Sequence, residues 1–287
     1  MTAGFSAAWA DHMQRVLVTA GATTAPFGAR VHVFETVTST NDVAAQLAAD
    51  DAPEGTLVVA AHQSQGRGRR GTTFVSPAGG GLYLSTILRP SSWPTAMTDA
   101  IGVAGAITLM AGLAAVRTAR ELGAGAAELK WPNDVVVAAP DGGWRKLAGI
   151  LTEASSNAAG ALVVVVGVGM NVIEAPAGPR LPDVATSLST VSEQPVRVDE
   201  TAVALMTCFA YAWRVLAFEG RQAIVDAWRR HAPSLQGRAV SWMEGTRQRS
   251  GRAVGVDDRG ALRVETAEGL TTLVAGHVDW DAADVRP

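Results

Sequence analysis

Cysteine is almost absent from this chain: Cys208 stands alone among 287 residues, so no intrachain disulfide can form. Histidine is sparse as well, with five scattered residues and no CxxC or His/Cys cluster, which excludes a dedicated zinc site. Cys208 falls on an apolar helical stripe with Leu205, Phe209, Trp213 and Leu216, and reads as a buried filler, not a nucleophile. Charge of one sign is also lacking. A formal net charge of −3 and a pI near 6.0 give no overall attraction to nucleic acid or anionic membranes. No Lys or Arg precedes Arg15 and no h-region is visible, so no secretory leader is expected. The one long apolar stretch, 100–116 between Asp99 and Arg117, is rich in Ala and Gly and short for a membrane span. It is predicted to be a core helix, and the chain to be soluble and cytoplasmic.

What is present is a globular composition, 48% hydrophobic and 18% charged, with room for one large core and a small satellite domain. Trp9, Met13, Val16 and Leu17 have helical spacing. The stretches 31–37, 55–62 and 81–88 read as strands, with Ser39 to Asp42 supplying cap chemistry for a helix over 43–49. Leu129 leads into a Trp-Pro-Asn-Asp corner at 131–134. Strands follow at 135–138 and 146–154, around a hairpin-like turn at Gly142-Gly143. The continuously apolar run 161–166 predicts a central strand entering Gly167-Val168-Gly169-Met170-Asn171. Asp199 is placed to cap a helix ending near Gly220, and another helix ends before Pro233. Beyond Gln236-Gly237 the chain turns to short β-rich runs punctuated by Asp and Gly, which predicts a small barrel. The domain boundary is set at 235, giving units 1–235 and 236–287.

Four polar segments lie at the ends of these elements. Gly66-Arg67-Gly68-Arg69-Arg70-Gly71 alternates glycine with fixed positive charge between two strands. Such a loop suits a multiply charged anion held close to the backbone. It is not a Walker A loop, because the Gly-Lys-Ser/Thr ending is missing. An RGG-like RNA tract is the bland alternative, disfavoured by flanking strands and an acidic background. The other segments are Ser39-Thr40-Asn41-Asp42, Lys130-Trp131-Pro132-Asn133-Asp134 and Lys146-Leu147-Ala148-Gly149-Ile150-Leu151. Each has a bland reading in isolation: a helix cap, a structural corner, an exposed hairpin. Gly167 to Asn171 lacks the third glycine of a dinucleotide fingerprint, and Pro176, Gly178 and Pro179 bar a following helix.

In this order, the four segments resemble the catalytic domain of biotin protein ligases, over roughly residues 31–287. The resemblance implies an α+β fold: a class II synthetase-like mixed sheet flanked by helices, with a small SH3-like C-terminal β-barrel. It implies activation of biotin by ATP to biotinyl-5′-AMP, then transfer to a lysine of a biotin carboxyl carrier protein or domain. Ser39, Thr40, Asn41 and Gln63 would meet the biotin head. Arg67, Gly68 and Arg69 would cover the adenylate, and Lys146 would sit where carboxylate and phosphate join. Gly169 and Asn171 would line the nucleotide side, with Lys130, Asn133 and Gly149 also on the binding surface. Asp134 is the candidate to orient or deprotonate the acceptor lysine. Mg²⁺ would accompany ATP without a dedicated protein site. One departure stands out: Thr72-Thr73-Phe74 replaces the family's basic residue and tryptophan, so Phe74 takes the place of the indole expected on adenine. The first thirty residues are too few for a winged-helix DNA reader, so no nucleic-acid role and no membrane partner are expected, and a homodimer is allowed. Competing readings are a lipoate ligase or octanoyl transferase, which would carry Arg-Arg-x-Ser-Gly-Gly-Gly, and a non-enzymatic biotin or nucleotide sensor.

Overall fold

The structure, a computed structural model, describes residues 7–95, 100–157, 159–176, 185–274 and 276–280. Asp99, Gly178 and Pro179, used above, lie outside the described residues, as does 281–287 of the expected barrel. The chain opens with α1 (Ala7–Thr24), β1 (Val31–Val37), α2 (Thr40–Ala49), β2 (Leu57–Gln63) and β3 (Gly81–Leu88). The long helix α3 (Ala100–Glu121) precedes β4 (Glu128–Lys130), β5 (Asp134–Ala138), β6 (Trp144–Ser156) and β7 (Leu162–Asn171). Three helices follow: α4 (Leu188–Val191), α5 (Val198–Arg214) and α6 (Arg221–Arg230). Last come β8 (Ala239–Glu244), β9 (Arg247–Val256), β10 (Leu262–Thr266), β11 (Gly269–Leu273) and β12 (Val278–Trp280).

The first seven strands form one sheet in the order β1-β2-β3-β7-β6-β5-β4. The β1/β2 pair is parallel and the other pairs are antiparallel, so the sheet is mixed, as the resemblance implies. Strand alternation divides its side chains between two faces. One face carries Leu82 and Leu84 of β3, Ile150 of β6, and Val164, Val166, Val168 and Met170 of β7, packed with α3, α5 and α6 in the main core. The other face carries Val58, Ile87, Val163 and Val165 beneath Ala44 and Ala48 of α2. Helix α2 is short. Beyond it, that second face continues as the floor of a cleft.

Two helices, Gly102–Glu121 and Val198–Glu219, are long and apolar enough by length and composition to cross a membrane. Among the described residues both are largely buried within the protein, so their apolar residues serve the core. Helix α5 begins earlier than a cap at Asp199 implies: its N-cap is Arg197, and Asp199 lies in the first turn. There Asp199 accepts hydrogen bonds from Arg197 (Nε 3.0 Å, Nη2 2.8 Å) and pairs with His12 Nε2 at 2.8 Å, tying α1 to α5. These bonds, that from Arg197 foremost, hold its carboxyl below the usual range. Helix α2 also begins earlier than expected, at Thr40. Ser39 occupies the N-cap in extended conformation without a capping side-chain bond. Strand β7 extends past the expected 161–166 through Gly167–Asn171.

The C-terminal strands pair antiparallel in the order β11-β10-β9-β8-β12, forming the small SH3-like unit. Its apolar residues Val240, Trp242, Val256, Leu262 and Val278 are continuous with the main core. Trp131 Nε1 donates to the Gly260 carbonyl at 2.9 Å, and Arg229 Nη2 to Val256 at 2.6 Å. The unit is therefore fastened against the end of the sheet that carries the Trp-Pro-Asn-Asp corner.

Gly55, between α2 and β2, has φ +79°, and a Cβ there would lie 2.2 Å from the Pro26 carbonyl oxygen. Gly55→Ala is expected to destabilise the protein by about 2 kcal/mol or more, read as a lower urea midpoint. An unchanged midpoint would show that the α1–β1 connection can move aside.

Candidate active site

The floor of the cleft is nearly free of side chains. On the face beyond α2, β7 presents Gly167 and Gly169, and β6 presents Gly149, which pairs in register with Gly169. A Cβ on Gly167 would lie 2.2 Å from Asn41 Oδ1, and one on Gly169 would lie 2.6 Å from the Phe74 ring. At Gly149 it would meet Lys146 Nζ at 2.8 Å. Glycine here makes room for groups arriving from other elements, and its φ is ordinary strand backbone. The resulting cleft has a volume of about 240 Å³ and is lined at one part by the buried polar residues Ser39, Thr40, Asn41 and Gln63.

That part is a hydrogen-bonded network. Thr40 donates through its amide (2.8 Å) and hydroxyl (3.1 Å) to Gln63 Oε1. Gln63 Nε2 donates to Ser76 Oγ at 2.9 Å, and Ser76 Oγ to the Phe74 carbonyl at 3.1 Å. Ser85 Oγ lies 2.7 Å from both Thr40 Oγ1 and Asn41 Oδ1. Asn41 Nδ2 donates to Glu153 Oε2 at 2.8 Å. Ser39, Thr40, Asn41, Gln63, Ser76 and Ser85 are all buried, and such a satisfied network holds donors and acceptors in fixed directions for a neutral polar ligand.

Opposite the polar end stand the cations. Lys146 Nζ lies 2.7 Å from Asp134 Oδ1 and 5.8 Å from the Phe74 ring centroid. Lys130, at the end of β4, has its ammonium 5.5 Å from the Trp280 ring centroid. Burial lowers the Lys130 pKa, opposed by Asp134 and Asp279 and reinforced by Lys146 and Arg238. Lys130 and Lys146 are the only lysines in the chain, and both line the cleft. Arg69 is lowered as well, first by burial and then by Arg70, against the attraction of Asp134. Crowding of this kind favours an incoming anion, which would relieve the mutual repulsion.

The Arg/Gly loop folds into a tight hairpin over the cleft. Phe74 N donates to Gly66 O (2.8 Å) and Gly68 N to Thr72 O (2.7 Å), around a 3-10 turn in which Arg70 takes φ 55°. Arg67 does not point a free guanidinium at the cleft. It forks onto Glu153 (2.8 and 2.7 Å) and contacts Asp42 Oδ1 at 2.7 Å.

Of the residues singled out from the sequence, Ser39, Thr40, Asn41, Gln63, Arg67, Gly68, Arg69, Phe74, Lys130, Asn133, Asp134, Lys146, Gly149 and Gly169 all border this one cleft. Asn171 does not. It is buried beyond the end of the cleft, two residues past Gly169 on the same face of β7, where its amide donates to Thr186 O (2.9 Å) and Lys146 O (3.4 Å) and so steadies the strand carrying Lys146. Asn133 is fixed by exchange of bonds with Ile150, Nδ2 to O at 2.8 Å and O from N at 2.9 Å. Sequence reasoning missed Ser76, Tyr83, Ser85, Glu153 and the C-terminal residues 276–278, which also reach the site. A period-two reading of β6 from Gly149 through Leu151 would have found Glu153. Nothing local marks His277.

Two family models match: the Biotin/lipoate A/B protein ligase family over residues 33–171, and the Biotin protein ligase C terminal domain over 237–285. The chain is 35% identical over 225 residues to the biotin–[acetyl-CoA-carboxylase] ligase of Paracoccus denitrificans, covering 77% of this chain and 88% of that protein. The chain belongs to the biotin protein ligase family. It is 32% identical over 264 residues to the bifunctional ligase/repressor BirA of Bacillus subtilis, covering 90% of this chain and 76% of that family member. Among solved structures, the Aquifex aeolicus biotin protein ligase in complex with biotin and ATP shares the fold. Its TM-score is 0.72 at 23% identity, over 88% of this chain and 99% of that one. Like its family, the chain is a ligase enzyme.

With only two lysines, the charge state of the site can be read directly. Selective ¹⁵N-lysine labelling should resolve the Lys130 Nζ signal and show it losing its proton at lower pH than an ordinary lysine. The positive charge it lends the cleft then fades as pH rises through that lowered value. A titration at or above the ordinary value would show that Asp134 and Asp279 outweigh burial.

Proposed function

We propose that this chain is an ATP-dependent biotin–protein ligase that activates biotin as biotinyl-5′-AMP and then biotinylates a lysine of a carboxylase carrier. The observation that carries the reading is one cleft with a buried neutral polar end and a cationic mouth. The ureido head of biotin calls for the first, and the meeting of a carboxylate with a triphosphate calls for the second. In the first step a biotin carboxylate oxygen forms a bond to the α-phosphorus, the α–β bridging P–O bond breaks, and pyrophosphate leaves. Two anions must approach, and Lys146 with Arg69 would offset their repulsion. In the second step the neutral carrier amine attacks the acyl carbon, the C–O bond to phosphate breaks, AMP leaves, and the amine loses a proton. Asp134, held by Lys146, is placed at the mouth to orient that amine or take its proton.

Ser39, Thr40, Asn41 and Gln63 are assigned to the biotin head, and Arg67, Gly68 and Arg69 to the cover over the adenylate. Phe74, Lys130, Asn133, Gly149 and Gly169 are assigned to the rest of the binding surface. Asn171 supports Lys146 through its backbone carbonyl. Among the described residues no group of three or more His, Cys, Asp or Glu could hold a metal ion. Mg²⁺ would thus come with the phosphates of ATP. Residues 1–235 would form the catalytic unit and 236–287 the C-terminal one, working in the cytoplasm where ATP and carriers are found. The Gly-Arg-Gly-Arg-Arg-Gly loop favours biotin over lipoate or octanoate.

The test is ATP-dependent pyrophosphate release with biotin, lipoate and octanoate in parallel. Release with biotin alone is expected, and silence with biotin would refute the reading. Lys146→Ala should lower the rate of adenylate formation by about 100-fold or more with the circular dichroism spectrum unchanged. Normal turnover would remove Lys146 from the chemistry. Arg69→Gly should loosen the cover and release free biotinyl-5′-AMP, detected as labelling of a bystander protein. No bystander labelling would count against the shielding role.

A further inference from the structure

Glu153 lies outside the four motifs, yet it joins the two halves of the site. Its Oε1 accepts from Arg67 Nη1 at 2.8 Å and its Oε2 from Arg67 Nη2 at 2.7 Å. The same Oε2 accepts from Asn41 Nδ2 at 2.8 Å, and Asn41 continues to Ser85 in the buried polar end. Asp42, next to Asn41 on α2, closes the group by meeting Arg67 Nη2 at 2.7 Å. Thus one guanidinium, on the covering loop, is gripped by two carboxylates, on β6 and α2.

We propose that Glu153 is a positioning residue, a clamp that holds the Arg/Gly loop shut through Arg67 while its bond to Asn41 ties the shut loop to the polar floor. Its position favours that role over the chemistry. Glu153 lies four residues beyond Gly149 on β6, on the same face but past Leu151, toward α2 and away from Lys146 and Asp134. A side-on, bidentate Arg–carboxylate pair resists rotation as well as separation. Asp42 keeps the guanidinium plane from swinging outward. Both carboxylates and Arg67 are partly exposed (38%, 47% and 41%), so the clamp is moderate in strength and yields to salt. A cover that must open each cycle needs such a bond. The consequence is that Glu153 sets how long an activated intermediate stays enclosed before a carrier arrives.

The inference rests on the proposed ligase activity, and the experiment separates the two. Single turnovers with biotin and ATP are run on the full chain without carrier. Pyrophosphate release gives adenylate formed, and gel filtration gives the fraction of adenylate lost from the protein. Glu153→Gln keeps an acceptor for Asn41 but removes the charge that grips Arg67. The fraction lost is expected to rise about three- to tenfold. In the wild type the loss should grow as NaCl is raised, whereas in the variant it should stay high and insensitive to salt. Asp42→Asn, which leaves the Asn41 network untouched, should shift the loss in the same direction and decides the matter if Glu153→Gln does not fold. Wild-type pyrophosphate release with no change of loss in either variant would overturn the clamp and leave the ligase reading intact. Tighter retention in Glu153→Gln would also overturn it, because the carboxylate would then be withholding Arg67 from the phosphates. A wild type silent with biotin would sink both.

Discussion

The site depends on a patch of β-sheet that has no side chains. Gly149, Gly167 and Gly169 sit on adjacent strands, two of them in direct register, on the face that α2 leaves uncovered. Valines continuing from Val163 and Val165 at 167 and 169 would fill the space now taken by the Asn41 amide and the Phe74 ring. The same strand serves two purposes because its faces alternate: Val164, Val166, Val168 and Met170 bury into the core while the glycines between them open the cleft. Every other feature of the site is an arrival onto that bare floor. The Ser-Thr-Asn segment comes from the α2 terminus, the Arg/Gly loop from between β2 and β3, and the cations from the sheet edge.

Charge in this protein is arranged more by pairing than by excess. Against a net charge of −3, the cleft gathers Arg67, Arg69, Lys130 and Lys146, and each is moderated differently. Arg67 is gripped by Glu153 and Asp42, Lys146 by Asp134, and Lys130 is desolvated beside Trp280. Because these pairs are partly exposed, they are weak enough to be exchanged for ligand oxygens, which a deeply buried pair would resist. Backbone bonds at Gly66 and Gly68 set the hairpin geometry of the loop, and Glu153 and Asp42 pair with its Arg67.

The C-terminal unit is part of the active site's frame and not an appendage. Its core is continuous with that of the sheet, Trp131 donates to Gly260, and β12 brings Trp280 over Lys130 and against Trp144. Trp144 and Lys146 are two residues apart on β6, so the packing that seats the small sheet also fixes the strand that presents the ammonium. Asn171 and Thr186 hold the same strand from the other side.

By itself the sequence determined the elements and most of the site's membership. Strands and helices were legible because alternation and helical spacing are local properties, and the four polar segments were legible because glycine, proline and arginine change what a backbone can do where they stand. Local reasoning failed where the deciding partner was distant. Asp199 reads as a cap until Arg197 and His12 claim it, and the strand expected over 161–166 continues through Gly167 to Asn171 because β3 and β6 pair with it on both sides. Tertiary structure alone decided that the Asn171 amide is taken up by the Thr186 and Lys146 carbonyls beyond the cleft, that Ser85 and Glu153 complete the site, and that His277 arrives beside another sheet. Those outcomes depend on strand order and register, which bring together residues more than one hundred positions apart, such as Asn41 and Glu153. No periodicity within a single segment encodes them.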